Sequence, residues 1–181
     1  LEKYLAFRKI KYIYDYDDAI FHNYDQHSNR LVRWLLKEKI AEVIAGAKGV
    51  IAGNKYLANY ALKVNSSVEI IPTVVDLNRF PKQRVYRSDK TFTIGWIGSP
   101  STTKYIEIAA EAISKVCSTG DCKLILIGAC NVSLPGINIE RRVWSEDDEV
   151  ENMQGFDVGI MPLPDGPWER GKCGFKLIQY M

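Results

Sequence analysis

Residues 91–104 read TFTIGWIGSPSTTK, and this stretch predicts the architecture of the whole chain. Its first part is rich in β-branched and aromatic residues and predicts a buried strand that stops at Gly98-Ser99-Pro100. The residues that follow carry apolar side chains at three- and four-residue steps, which predicts a helix over 102–116. A strand, a glycine turn and a helix form the first unit of a nucleotide-binding α/β domain. The free N–H groups at the start of such a helix favour a phosphate.

The same order of strand and helix recurs on both sides of this stretch. Upstream, the patterns predict strands over 11–15, 49–53 and 68–72 and helices over 28–46 and 54–62, the first capped by Ser28 or Asn29 and the second by Asn54. Downstream, they predict strands over 92–98, 123–128, 137–143 and 157–162, a helix over 146–153, a glycine-rich turn over 166–174 and a helix over 174–181. We therefore predict the α/β class, with two Rossmann-like halves built on parallel sheets and with Trp34 and Trp96 in their cores.

A polar segment over 73–88 separates the two halves. It contains Pro81 and the basic residues Lys82, Arg84 and Arg87, a composition typical of a domain linker. We accordingly predict a first domain over 1–80 that includes the linker, and a second domain over 81–181. The chain begins without Met and ends within a helical pattern. We thus expect the first half to lack its N-terminal part and the second half its C-terminal end.

Composition narrows the class of protein. The 181 residues carry a formal net charge of +2, which is too small to indicate a nucleic-acid partner. The four cysteines, at positions 117, 122, 130 and 173, form no C-x-x-C pair, so we predict reduced thiols and no zinc site. No apolar run approaches the roughly 20 residues of a membrane span, and no signal peptide is visible. These features predict a cytoplasmic protein.

Five segments resemble the retaining glycosyltransferases of the GT-B fold, in the set known as group 1 or family 4. They are IIPTVVDLNRF (70–80), TIGWIGSPSTTKY (93–105), CKLILIGA (122–129), FDVGIMPLP (156–164) and GKCGFKLIQYM (171–181), and they occur in the family's order. The resemblance implies a hexosyltransferase-type enzyme that transfers a sugar from a nucleotide-diphosphate donor to a saccharide or lipid-linked acceptor. It implies retention, no metal and no other cofactor, and a setting in polysaccharide biosynthesis at the inner face of the membrane.

The resemblance also implies roles for individual residues of the second half. Lys104 would hold the donor diphosphate, and Gly98 and Ser99 would let the main chain approach it closely. Trp144 or its neighbours would border the base. The N–H groups around Gly174, Phe175 and Lys176 would cradle the same diphosphate. Electrostatic stabilisation of the departing diphosphate would then drive the reaction.

Several positions depart from the family pattern. Ser99 stands where the family has an arginine, and Gly171 and Gln179 stand where it has two glutamates. An amide both donates and accepts, so Gln179 could still bind the ribose hydroxyls. Glu169 or Lys172 could replace the first glutamate. In the first half, Asp17 falls near the position of an acceptor-side catalytic group.

Each of these features also has a plainer interpretation. Lys104 could be a solvated lysine at the start of a helix, and Gly98-Ser99 an ordinary turn. The carboxylates Asp15, Asp17 and Asp18 could bind Mg²⁺, or Asp18 could cap the next segment. The basic set Arg30, Arg33, Lys37 and Lys39 could be a solvated helix face or a contact with an anionic membrane.

Two other functions stay open at this point. A Rossmann-type oxidoreductase or epimerase needs G-x-G-x-x-G after its first strand, and only Gly95-Trp-Ile-Gly98 is present. A non-catalytic nucleotide-sugar-binding relative is favoured by the loss of both glutamates, at Gly171 and Gln179.

Overall fold

A computed structural model describes residues 10–80 and 91–181, together with Leu5 and Arg8. It divides the chain into two compact units. The first unit comprises Leu1–Val74 and Asp165–Gly174, and the second comprises Val75–Pro164 and Phe175–Met181. The predicted linker residues Pro81, Lys82, Arg84 and Arg87 lie outside the described residues.

The elements alternate between strands and helices along the chain. In order they are β1 (Ile13–Tyr16), α1 (His22–Asp25), α2 (Arg30–Leu36), α3 (Lys39–Gly46), β2 (Gly49–Ala52), α4 (Lys55–Ala61), β3 (Val68–Ile70), β4 (Phe92–Ile97), a 3-10 helix (Pro100–Ala109), α5 (Ala110–Cys117), β5 (Cys122–Ile127), β6 (Asn138–Arg142), α6 (Glu149–Gln154), β7 (Val158–Gly159), α7 (Pro167–Arg170) and α8 (Phe175–Tyr180).

The first unit contains a parallel sheet in the order β1-β2-β3. Its core holds the fully buried side chains of Phe21, Ile44 and Leu57. Two asparagines start the helices as predicted: the side chain of Asn29 accepts from the Leu31 N–H, and that of Asn54 accepts from the Leu57 N–H. Each cap satisfies a backbone donor that the first turn of a helix leaves unpaired.

The predicted helix over 28–46 is instead two helices, because the chain breaks at Lys37 and Glu38 between α2 and α3. The break removes the common face that a single helix would present. Ile40 and Ile44 of α3 are buried, whereas α2 has no buried residue. Trp34 is 74% exposed, so its predicted place in the core is wrong.

The second unit contains a parallel sheet in the order β6-β5-β4-β7. Its two central strands are covered on both faces, and residues 124–127 of β5 are fully buried. Trp96 of β4 is 3% exposed, which confirms its predicted burial. Both sheets are parallel and the chain alternates strand with helix, so the predicted α/β class is confirmed.

Three local predictions in the second half are corrected. The helix expected over 102–116 begins as the 3-10 helix and becomes α-helical only at Ala110. Hydroxyls explain part of this difference, since Thr102 Oγ1 donates to the Ser99 carbonyl and so competes with α-helical pairing. The strand over 157–162 shortens to β7, and the turn over 166–174 contains α7.

The cysteines also depart from the prediction. Cys117 ends α5 and Cys122 begins β5, and the short turn between them brings their Cα atoms to 4.9 Å. The two residues form a disulfide, so the prediction of reduced thiols is wrong for this pair. Cys130 and Cys173 are free.

Across residues 10–80 and 91–181, every helix is too short or too polar to cross a membrane.

Candidate functional site

A cavity of about 670 Å³ opens in the second unit where β4, β5 and β6 end. The carboxyl edge of a parallel sheet is the usual place for a ligand in an α/β fold. The cavity is lined by Ile97, Gly98, Ser99, Pro100, Gly128, Ala129, Arg141, Arg142, Val143, Trp144 and Lys176. Every lining residue belongs to the second unit.

Two glycines let the main chain approach closely at the floor of this cavity. Gly128 has φ of +73°, a left-handed backbone conformation that residues with a Cβ rarely adopt. A Cβ added to Gly128 would lie 2.4 Å from the carbonyl oxygen of Gly98, and one added to Gly98 would lie 2.5 Å from the ring of Trp96. The strand ends therefore present backbone rather than side chains to the cavity.

The wall of the cavity is cationic. Among its lining residues Arg141, Arg142 and Lys176 carry positive charge, and none carries a carboxylate. The Arg142 guanidinium donates to Glu140, with 2.7 Å between Nε and Oε1, and Arg141 donates to the Val132 carbonyl. These contacts hold the arginines in place at the rim. Glu140 offsets part of the charge of Arg142, with 2.6 Å between Nη2 and Oε1, and the positive charge that remains in the wall suits an anionic ligand.

Behind the wall lies a buried carboxylate, Glu149 at the start of α6, which is 5% exposed. Its Oε1 accepts from the Lys176 ammonium at 3.0 Å and from the Trp144 indole N–H at 3.3 Å. Its Oε2 accepts from the Arg79 guanidinium at 3.3 Å. Burial acts to raise the pKa of Glu149, but the hydrogen bonds from Lys176 and Trp144 and the charges of Lys176 and Arg79 outweigh it and lower the pKa.

Gln179 lies one helical turn beyond Lys176 on α8. It is 8% exposed, and its Oε1 has no hydrogen-bond partner among the described residues. Nearly all buried polar atoms in proteins are paired, so this oxygen is an unsatisfied acceptor, but Gln179 does not line the cavity.

The structure brings together four of the residues predicted to bind the donor: Gly98, Ser99, Trp144 and Lys176 line the cavity. Lys104 does not line it; its side chain is exposed and its ammonium lies 5.3 Å from the Tyr105 ring centroid. Phe175 is exposed at the start of α8.

The remaining predicted residues, Asp17, Glu169 and Gly174, belong to the first unit. Asp17 lines a second cavity of about 460 Å³, together with Asp15, at the carboxyl edge of the first sheet. Glu169 lies on α7, and Gly174 has φ of +68°.

The described residues hold no group of three or more His, Cys, Asp or Glu side chains placed to bind a metal ion. Asp18 is engaged elsewhere, with its Oδ1 3.0 Å from the Lys172 ammonium.

Sequence reasoning missed three residues of the candidate site. Arg141 and Arg142 are the last two residues of β6, at the end of a predicted strand of a parallel sheet, a position that could have identified them. Glu149 is harder to find, because it sits in the acidic run 146–151 and resembles the solvated start of a helix. Only the fold shows that this one carboxylate of the run is buried.

Neither the protein-family models nor the curated proteins include a match to this chain. Two solved structures of TarM resemble it, each at 15% sequence identity and each covering 82% of this chain. One is the crystal structure of TarM, with a TM-score of 0.56. The other is a mutant of TarM from S. aureus in complex with fondaparinux, alpha-GlcNAc-glycerol and UDP, with a TM-score of 0.51. The chain spans 31% of the length of either structure. At this identity the likeness concerns the fold, and it shows that the chain shares the α/β fold of GT-B glycosyltransferases.

Proposed function

We propose that the chain is the part of a glycosyltransferase that binds a nucleoside diphosphate sugar, and that the cavity of the second unit is the donor site. The cationic wall of that cavity carries the proposal. Arg141, Arg142 and Lys176 line a cavity without carboxylates at the carboxyl edge of a parallel sheet, where a diphosphate is expected. The UDP in the TarM complex supports the same ligand class.

The proposed ligand has parts that match different sides of the cavity. The diphosphate would lie near Lys176 and over the backbone at Gly98 and Ser99, with the base beside Trp144. Gln179 does not line the cavity, and it remains a proposed partner of a ribose hydroxyl through its unpaired Oε1. Lys104 remains a proposed second ligand of the diphosphate.

The proposed chemistry is transfer of the sugar with retention, onto a saccharide or a lipid-linked acceptor. Charge develops on the diphosphate as its bond to the sugar breaks, so fixed cations that bind this charge lower the barrier. In this scheme Asp17 and Glu169 are proposed acceptor-side and sugar-side groups, and no metal is required.

Titration calorimetry of the chain with UDP, GDP, ADP, CMP and NAD(H) tests the donor site. One nucleoside diphosphate should bind. Lys176→Met should weaken its binding by about tenfold or more, because a charge-assisted contact to phosphate is lost. Lys104→Ala tests the second proposed cation in the same titration.

Lys115→Met is the control for Lys176→Met. Lys115 lies in the last turn of α5 in the second unit and does not line the cavity. Equal affinity in wild type and Lys176→Met would contradict the donor site. Binding of NAD(H) alone would instead support the oxidoreductase interpretation.

A second candidate, a nucleotide-sugar binder without transfer activity, is favoured by the packing of Gly171. A Cβ at Gly171 would lie 2.4 Å from the Cβ of Ala19, so a glutamate cannot occupy this position without displacing the core of the first unit. An assay of donor hydrolysis in the presence of UDP-sugar separates the candidates. Turnover supports the transferase, whereas binding without turnover supports the binder.

The exposed helix α2 supports a peripheral contact with an anionic membrane. Leu31, Trp34 and Leu35 are exposed along one side of α2, and Arg30 and Arg33 lie on the adjoining side. An apolar stripe with a tryptophan beside basic residues is the composition of an interfacial helix.

Vesicle flotation tests this contact. The chain should float with vesicles that contain phosphatidylglycerol and remain in solution with phosphatidylcholine alone. Trp34→Ala with Arg30→Ala should abolish flotation, while Leu62→Ala, at another exposed apolar site of the first unit, should not. Unchanged flotation of the double variant would refute the contact.

A further inference from the structure

We infer that Glu149 is a positioning residue of the donor site, which fixes Lys176 and Trp144 on the wall of the cavity from behind. The inference rests on the proposed function and extends it to a residue that neither touches the ligand nor lines the cavity.

The first step of the argument is the number of donors that converge on one buried carboxylate. Lys176, Trp144 and Arg79 come from three separate segments: α8, the residues after β6, and the turn over 76–80. All three donate to Glu149 within 3.3 Å. A buried carboxylate is costly unless it is paired, so these contacts compensate for its burial and are favoured to persist.

The second step is where these donors point. Lys176 and Trp144 line the cavity, whereas Glu149 does not. One carboxylate oxygen, Oε1, therefore anchors both an ammonium and an indole whose outer surfaces face the proposed ligand. A lysine side chain has many rotamers, and fixing it before the ligand arrives removes part of the entropy cost of binding.

The third step concerns charge. A carboxylate beside Lys176 would cancel its charge if nothing else were present. Arg79 supplies a second cation to Glu149, at 3.3 Å, so that the group of Lys176, Arg79 and Glu149 stays positive. Glu146 also pairs with Arg79, at the shorter distance of 2.8 Å, but its side chain is 70% exposed, so solvent screens its charge more than that of the buried Glu149. The wall thus keeps its attraction for an anion while its cation is held in place.

Glu149→Gln is the variant that tests this role, because it keeps the volume and one acceptor oxygen but removes the charge that holds Lys176. Glu146→Gln is the matched control: it removes a carboxylate bound to the same Arg79 and leaves Lys176 and Trp144 untouched. Thermal unfolding of both variants confirms that they are folded. Glu149→Asp, which keeps the charge but withdraws it by one methylene, replaces Glu149→Gln if that variant does not fold.

The first readout needs no ligand. The fluorescence of Trp144 is obtained by subtracting the signal of the same chain carrying Trp144→Phe, so that the signals of the other tryptophans cancel. Acrylamide quenching is then measured on this difference. We expect Glu149→Gln to raise the quenching of Trp144 by about twofold, because the indole loses its charged anchor. Glu146→Gln should leave it unchanged. Unchanged quenching in Glu149→Gln overturns the inference.

The second readout is calorimetry with UDP and with uridine. Glu149→Gln should weaken the binding of both ligands by about five- to tenfold. Trp144, which is proposed to contact the base, and Lys176, which is proposed to contact the diphosphate, both lose the carboxylate that fixes them. Lys176→Met should weaken UDP alone. If Glu149→Gln changes quenching but neither affinity, Glu149 has a structural role only and the inference is overturned. If wild type binds no UDP while the quenching responds as expected, the proposed donor fails and the placement of Trp144 by Glu149 stands.

Discussion

The two units build the same kind of sheet and open a cavity at the same edge, but the two cavities carry opposite charge. In the first unit the cavity beyond β1, β2 and β3 presents Asp15 and Asp17. In the second unit the cavity beyond β4, β5 and β6 presents Arg141, Arg142 and Lys176. Parallel strands bring the residues that follow them to one edge whatever those residues are. The charge of each cavity is therefore set by a few residues at the ends of the strands, while the sheets that position those residues are of the same kind in both units.

The largest expected effect tests whether the two scaffolds are equivalent. Leu126 lies in the core of the second unit and Leu57 in that of the first, and both side chains are fully buried. Leu126→Ala and Leu57→Ala should each lower the free energy of unfolding by about 2–5 kcal/mol, through lost burial and the cavity left behind. Denaturant unfolding measures this. Leu62→Ala, at an exposed leucine, should cost far less, and equal losses at all three sites would contradict the assigned cores.

A smaller effect tests the backbone floor of the cationic cavity. Gly128→Ala should destabilise the protein by about 1–3 kcal/mol, because its Cβ would meet the Gly98 carbonyl at 2.4 Å. Gly136 is a matched control: its φ of +77° is similarly left-handed, but a Cβ there meets nothing within 4 Å. The difference between the two alanine variants isolates the contact with Gly98. If both variants lose the same free energy of unfolding, the strain of the left-handed backbone alone accounts for the cost of Gly128→Ala, and the contact with Gly98 contributes nothing.

A third prediction tests the charge of the cationic cavity. Raising the salt concentration from about 0.05 to 0.5 M should weaken UDP binding several-fold, since screening acts on the attraction between the cavity and the diphosphate. The effect should be smaller in Lys176→Met, which has one cation fewer in the wall. Calorimetry at both salt concentrations measures this, with uridine as the uncharged control. Equal salt dependence for UDP and uridine would contradict an electrostatic role for the wall.

The smallest effect is the pH dependence that Glu149 contributes. Because the pKa of Glu149 is lowered in the folded protein, its ionised form stabilises the fold above the pKa of the unfolded chain. That stabilisation is lost as the pH falls through the lowered pKa. The groups around the carboxylate are Lys176, Arg79, Trp144 and the Tyr180 hydroxyl, whose own pKa rises to about 12 mainly because it is buried.

Urea unfolding between pH 3 and pH 7 measures this dependence. The free energy of unfolding should fall less steeply toward acid in Glu149→Gln than in wild type or in Glu146→Gln. An identical acid limb in all three chains would show that Glu149 does not contribute.

The helices α2 and α3 show that the spacing of apolar residues in a sequence does not by itself predict which of them are buried. The apolar spacing of Leu31, Leu35, Ile40 and Ile44 is continuous in the sequence, yet only the last two are buried. The first helix ends at Leu36 and the second begins at Lys39, so these four residues do not belong to one helix with a single buried face. The spacing of apolar residues predicts whether a segment is a helix or a strand, but it does not show which other element its apolar face packs against.

The sequence by itself determined what depends on near neighbours: the alternation of strands and helices, the cap Asn54, a cap at Ser28 or Asn29, and the burial of Trp96 in a strand with apolar residues around it. These follow from period and from side-chain chemistry within a few residues. Only the tertiary structure decided that Arg141, Arg142 and Lys176 share one wall and that Glu149 lies buried behind it. Those residues are up to 35 positions apart, and parallel pairing and the return of α8 bring them together, which no local pattern encodes.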